Sequence, residues 1–119
     1  MKLLDDINDI IVCLRSSRLP CDSEMELQYG IGVALDRAGI EYSREHRLDR
    51  KNRVDFFANG IAVEVKIQGS AKNIYDQCWR YAEFPTVEAV VLVTSKTVTL
   101  PDTLNGKPCR VVRTGEAWL

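Results

Sequence analysis

The chain has 119 residues, 45% of them hydrophobic and 28% charged, with a net charge of −1. That length suits one domain, and that composition suits a globular one able to bury roughly two-thirds of its unfolded surface without a covalent staple. No apolar run approaches the ~20 residues needed to cross a bilayer. The acidic start Met1-Lys2-Leu3-Leu4-Asp5-Asp6 lacks the basic flank of a signal peptide, so a cytoplasmic protein with no membrane partner is expected. Cys13, Cys21, Cys78 and Cys109 are widely spaced, and His46 has no partner at zinc-ligand spacing. Reduced thiols without structural zinc are expected.

Residues 4–17 place Leu4, Ile7, Ile10, Ile11 and Leu14 on one helical stripe. A second helix runs from Ser23 to about Ala38. Ser23-Glu24-Met25-Glu26 fits the S-x-x-E capping box, and Gly39 suits the position after the last turn. Its stripe is Leu27, Ile31, Ala34, Leu35 and Ala38. Strand-like segments follow at about 41–47, 53–58 and 61–67. Ser70 caps a third helix over about 71–83. The run Ala89-Val90-Val91-Leu92-Val93 suits a strand buried on both faces. A turn-rich stretch then leads to Asn105-Gly106, and 110–113 form a last strand. The order α-α-β-β-β-α-β-β predicts an α/β fold with a mixed central sheet flanked by helices, residues 1–20 forming an N-terminal helical extension of a single domain spanning 1–119.

Asn59-Gly60 is the strongest hairpin signal, because both residues tolerate the positive φ of a type I′ turn. A two-residue turn there sets the register: Ala58 opposite Ile61, Phe57 opposite Ala62, Phe56 opposite Val63, and Asp55 opposite Glu64. Alternation puts Val54, Phe56, Ala58, Ile61, Val63, Val65 and Ile67 on an apolar core face. Arg53, Asp55, Phe57, Ala62, Glu64 and Lys66 fall on the other. Facing carboxylates repel, and a divalent cation reverses the sign. A solvent-facing strand pair with incidental charges is the bland alternative.

Glu24 opens the apolar stripe of the second helix and points at the sheet, whereas Glu26 lies nearly opposite and serves the cap. Gln77 and Tyr81 share a face of the third helix, with Lys72, Asn73 and Arg80 on or near that side. Residues 44–53 carry Arg44, His46, Arg47, Arg50, Lys51 and Arg53 against Glu45 and Asp49. The segment reads either as a solvated loop or as a phosphate contact. Setting aside Glu24, Asp55 and Glu64 as metal-bound turns the net charge to +2.

Asp55-x8-Glu64-Val65-Lys66, with Glu24 upstream and Gln77-x3-Tyr81 downstream, resembles the PD-(D/E)XK nuclease superfamily. The stretch Ser23 to Thr94 resembles its small stand-alone phage and prophage members, and archaeal Holliday-junction resolvases are similar in layout. The resemblance implies a restriction-endonuclease-like core and Mg²⁺-dependent (or Mn²⁺-dependent) phosphodiester hydrolysis. It implies Asp55, Glu64 and Glu24 as metal ligands, Lys66 as the catalytic lysine, and Gln77 and Tyr81 as accessory residues beside the site. Arg53, Arg80 and Lys72 are candidate nucleic-acid contacts. Val54 stands where the motif's name has proline. The sequence carries no separate recognition domain, which favours structure- or end-directed cutting of DNA. Two other readings stay open: a non-catalytic nucleic-acid-binding module, and an interaction subunit whose N-terminal helix docks a partner or forms a homodimer.

Overall fold

Serine side chains open two of the helices. Ser23 Oγ accepts the Glu26 N–H at 3.1 Å, and Ser70 Oγ accepts the Asn73 N–H at 3.1 Å, each satisfying a first-turn donor. In the computed structural model, which describes residues 1–115, the helices are α1 (Lys2–Arg15), α2 (Glu24–Arg37) and α3 (Ala71–Ala82). The strands are β1 (Ser43–Arg47), β2 (Arg53–Ala58), β3 (Ile61–Lys66), β4 (Ala89–Thr94), β5 (Thr103–Leu104) and β6 (Lys107–Arg113). They form one mixed sheet in the order β1-β2-β3-β4-β6-β5. β3, β4 and β6 run parallel, and the remaining pairs are antiparallel. Parallel neighbours need a crossover connection, and α3 supplies the one between β3 and β4.

The sheet is covered on both faces. Ile7, Ile10 and Leu14 of α1 and Leu27, Ile31 and Leu35 of α2 pack with Phe56, Val63, Val65, Val91 and Val93. On the other side, Ile74, Cys78 and Tyr81 of α3 pack with Ala62, Val90, Leu92 and Cys109. β4 is buried at every position, as its unbroken apolar run requires. Ile7, Ile10 and Leu14 of the N-terminal helix are buried in this core, whereas Leu4 of the same stripe is exposed.

Asn59 (φ 52°) and Gly60 (φ 81°) make the expected type I′ turn. Asn105 (φ 51°) and Gly106 (φ 76°) repeat it. The turn-rich stretch thereby becomes the β5–β6 hairpin, and the last strand begins at Lys107.

Alternation fails in the β1–β2 hairpin. Val54 and Phe56 should share a face, yet Phe56 packs with α1 and α2 while Val54 packs with α3. Their β1 neighbours change sides with them. Arg44, opposite Phe56, lies over the Phe56 ring, whereas His46, opposite Val54, stacks on Phe57 of the α3 layer. The switch falls at Glu45 and Asp55, which the ladder skips. Glu45 takes φ 48°, which reverses the side-chain direction without shifting the register. The distal half of the hairpin therefore turns onto the α3 side, where Leu48 also packs.

If α1 belongs to the core, Ile10→Ala costs about 2–5 kcal/mol, while Val12→Ala, 65% exposed on the same helix, changes stability by less than about 0.5 kcal/mol. Urea denaturation of both variants checks the contrast.

Candidate active site

The β2–β3 ladder is regular through Ala58↔Ile61, Phe57↔Ala62 and Phe56↔Val63, and then opens. Asp55 and Glu64 stand in the opening. They are not a regular cross-strand pair, as the register alone would make them. Their side chains replace backbone carbonyls as acceptors: Val65 N–H donates to Asp55 Oδ2 at 2.8 Å, and Asp55 N–H donates to Glu64 Oε1 at 3.4 Å. Nor is this face turned to solvent. Glu64 is 3% exposed and Asp55 is half-buried, so the acids are not a solvent-facing pair. Lys66 Nζ lies 3.8 Å from Glu64 Oε2 and is partly exposed.

Glu24 reaches the same end of β3 from the opposite layer. Its Oε1 accepts the Ile67 N–H at 3.1 Å, so the first turn of α2 holds the chain just past Lys66. Glu26 is exposed, and its backbone N–H completes the Ser23 cap.

Burial is the main force on both acids. It raises the pKa of Asp55, with the Glu24 charge adding. The Val65 N–H, the contact with Glu64 and the Lys66 cation oppose the rise. Glu64 is pushed from 4.5 to about 8 by burial first and by the Asp55 charge second. Both carboxyls therefore hold their protons more tightly than free acids do, as expected of two carboxylates sharing a desolvated site.

No group of three or more His, Cys, Asp or Glu side chains is gathered to hold a metal ion among the described residues. The structure brings Asp55 and Glu64 together, and leaves Glu24 close enough to act through its charge but outside a single ligand cluster. Mg²⁺ and Mn²⁺ ask less than a protein cage. They take one or two carboxylates and fill the shell with water and substrate oxygens. A largely desolvated acid pair whose mutual repulsion favours a proton fits such a cation, and contains no soft ligand that would favour zinc.

Gln77 and Tyr81 share a face as their spacing requires, but they are bonded to each other and to β2. Gln77 Nε2–H donates to Tyr81 Oη at 2.8 Å, and Tyr81 O–H donates to the Arg53 carbonyl at 3.1 Å. Tyr81 is buried, and burial followed by the Glu64 and Asp55 charges raises its pKa. The two residues hold the start of β2, two positions before Asp55. Arg80 Nε–H donates to Asn52 Oδ1 at 2.9 Å beside the exposed Arg53. Lys72 is exposed and spends its charge on Asp76, 2.7 Å away.

The sequence did not reveal the Val65 and Ile67 amides as partners of the acids, because backbone donors carry no residue signature. It also missed Cys78, whose thiol lies near Glu64 and is pushed up to about 12 by burial and by the neighbouring Cys109. Such a thiol is a packing group rather than a nucleophile. No protein-family model, curated protein or solved structure matches the chain.

Because Glu64 holds its proton more tightly folded than unfolded, the folded state binds more protons between pH 4.5 and about 8. Stability of the chelator-treated protein therefore falls as pH rises through that window. Glu64→Gln keeps an acceptor for the Asp55 N–H and removes the charge. It should match wild type near pH 4.5 and exceed it at pH 8. Thermal melts across the window check this, and a flat wild-type profile would contradict the burial of the acid pair.

Proposed function

We propose that the chain is a Mg²⁺- or Mn²⁺-dependent nuclease acting on DNA, of the PD-(D/E)XK type. The pairing of half-buried Asp55 with buried Glu64, with Lys66 3.8 Å from Glu64, carries the reading. The mixed sheet, the α3 crossover between β3 and β4, and the place of the acids where β2 leaves β3 support a restriction-endonuclease-like core. Asp55 and Glu64 would hold the cation, with Glu24 adding negative charge beside them. When bound, the cation supplies Lewis-acid activation of phosphate and water.

The side chains define the remaining roles. Lys66 sets a positive charge where negative charge grows on the phosphoryl oxygens, and a cation fixed there beforehand favours the transition state. Glu24 fixes the Ile67 N–H and hence the backbone carrying Lys66. Tyr81 and Gln77 fix the Arg53 carbonyl and hence the backbone carrying Asp55. Water attacks phosphorus, the bond to the 3′ oxygen breaks, and that oxygen takes up a proton, leaving a 5′-phosphate and a 3′-hydroxyl.

A second reading has two observations in its favour. Asp55 and Glu24 already accept backbone N–H bonds, and no three-residue metal cluster stands among the described residues. The acids would then act as staples in a binding module without catalysis.

A cleavage panel separates the two. Duplex, single-stranded, flapped and branched DNA are incubated with Mg²⁺ and with Mn²⁺. The nuclease reading expects cleavage of at least one form, absent under chelator and reduced at least about 100-fold by Lys66→Ala or Asp55→Asn, with unchanged circular dichroism. Wild-type protein inert on every form with both metals overturns it.

A further inference from the structure

The turn joining β1 to β2 is built to stand still. Asp49 Oδ1 accepts the Lys51 N–H at 2.8 Å, the Asn52 N–H at 2.7 Å and Asn52 Nδ2–H at 3.1 Å. Leu48 N–H donates to the Asn52 carbonyl at 2.8 Å. Arg47 Nη1–H donates to the Arg50 carbonyl at 3.2 Å, and Arg80 of α3 grips Asn52. Asp49 is the one acid within this turn, and those bonds consume its charge, holding its pKa below the usual range.

What the turn displays is positive. Arg47, Arg50, Lys51, Arg53 and Arg80 are all exposed, and none of them pairs with a carboxylate among the described residues. Arg47 and Arg80 are each held by one guanidinium nitrogen, so their direction is set before any ligand arrives. The change of face at Glu45 and Asp55 swings this surface onto the α3 side, the side on which Glu64 is buried.

We propose that this turn and Arg80 form a track for the phosphate backbone of double-stranded DNA, contacting phosphates and reading no bases. Charge complementarity selects a polyanion, since a chain of net charge −1 concentrates unpaired cations here. The absence of an exposed ring on the turn selects the duplex. Single-strand binders combine cations with aromatic faces for stacking, whereas His46 and Phe57 are half-buried against each other at 4.3 Å. The exposed pair Tyr75 and Trp79 lies on the flank of α3 away from Arg80 and Gln77. The inner side of the hairpin packs on α3 through Leu48 and Val54, and the exposed side chains it leaves over residues 43–53 are mostly Arg and Lys, the side chains that contact phosphates.

The inference depends on the nuclease reading only for what lies at the end of the track, and binding tests it alone. Full-length protein is titrated into labelled duplexes of unrelated sequence, and into a single strand of equal length, by fluorescence anisotropy in chelator over a range of salt. The expected result is duplex binding that is indifferent to sequence and stronger than single-strand binding. Arg50→Ala/Lys51→Ala should weaken it at least tenfold and lower the salt slope by about 2. Lys51→Ala alone, which leaves the Asp49 hydrogen bonds in place, should lower the slope by about 1. Lys2→Ala, on α1 and paired with Asp6, should change neither. An unchanged slope in the double variant, a preference for single strands, or discrimination among duplex sequences would overturn the track. Wild-type protein that binds in this way yet cleaves no DNA form with either metal would overturn the nuclease reading and leave the track standing.

Discussion

Two carboxylates cannot be buried side by side without compensation. The cost of desolvating each is several kcal/mol in a protein interior, and each makes the other harder to ionise. Around Asp55 and Glu64 the fold answers in three ways. Backbone N–H groups of Val65 and Asp55 donate to the side chains. Lys66 places a cation beside Glu64. Burial and the Asp55 charge push the Glu64 pKa well above the usual carboxylate range. The first answer shapes the sheet. Giving those N–H groups to carboxylates removes them from the regular ladder, so β2 and β3 separate beyond Phe56↔Val63 while β3 stays paired to β4 through Lys66↔Thr94.

That separation accounts for the departure of the β1–β2 hairpin from a flat strand pair. Freed from β3, the residues before Asp55 have their own layer to satisfy. Val54 and Leu48 bury against α3, and Tyr81 takes the Arg53 carbonyl. β1 follows its partner by changing face at Glu45, the one residue of the strand with positive φ. A non-glycine residue in that region costs on the order of 1 kcal/mol or more. The compensation is the packing of the distal hairpin. The same movement gathers the basic turn next to Arg80 and sets it on the side of the sheet that holds the acid pair.

Most of the architecture was legible because its determinants are local. Ser23 and Ser70 announce their helices, Asn59-Gly60 its turn, and the apolar run at Ala89 a doubly covered strand. Asn105-Gly106 carries the same information as Asn59-Gly60, but β5 has only two residues and Pro108 interrupts the alternation at the start of β6, so no strand pattern flanks the turn. The direction of Glu24 followed from the helical stripe it opens. What the sequence could not show was where alternation stops. Val54 is apolar and fits either face, and only the demand of Asp55 and Glu64 for backbone donors decides that the strand turns between Val54 and Phe56. Spacing likewise brought Gln77 and Tyr81 together but left open that they hold β2 rather than point into the opening. Lys72 looked available until Asp76, one turn away, proved to hold it.

The hydrogen bonds at the acid pair do not by themselves explain the acids. An asparagine at 55 or a glutamine at 64 would offer an amide oxygen to the same N–H groups, with no mutual repulsion and no pKa to displace. As purely structural acceptors, the carboxylates are the worse choice, the more so as rising pH presses the pair to ionise. Lys66 offsets part of that charge from one side only, at 3.8 Å and partly open to solvent. Glu24 adds to the negative field instead of relieving it. The surplus negative charge therefore has no sufficient partner among the described side chains. The proposed nuclease reading would supply that partner as a cation arriving with water and substrate.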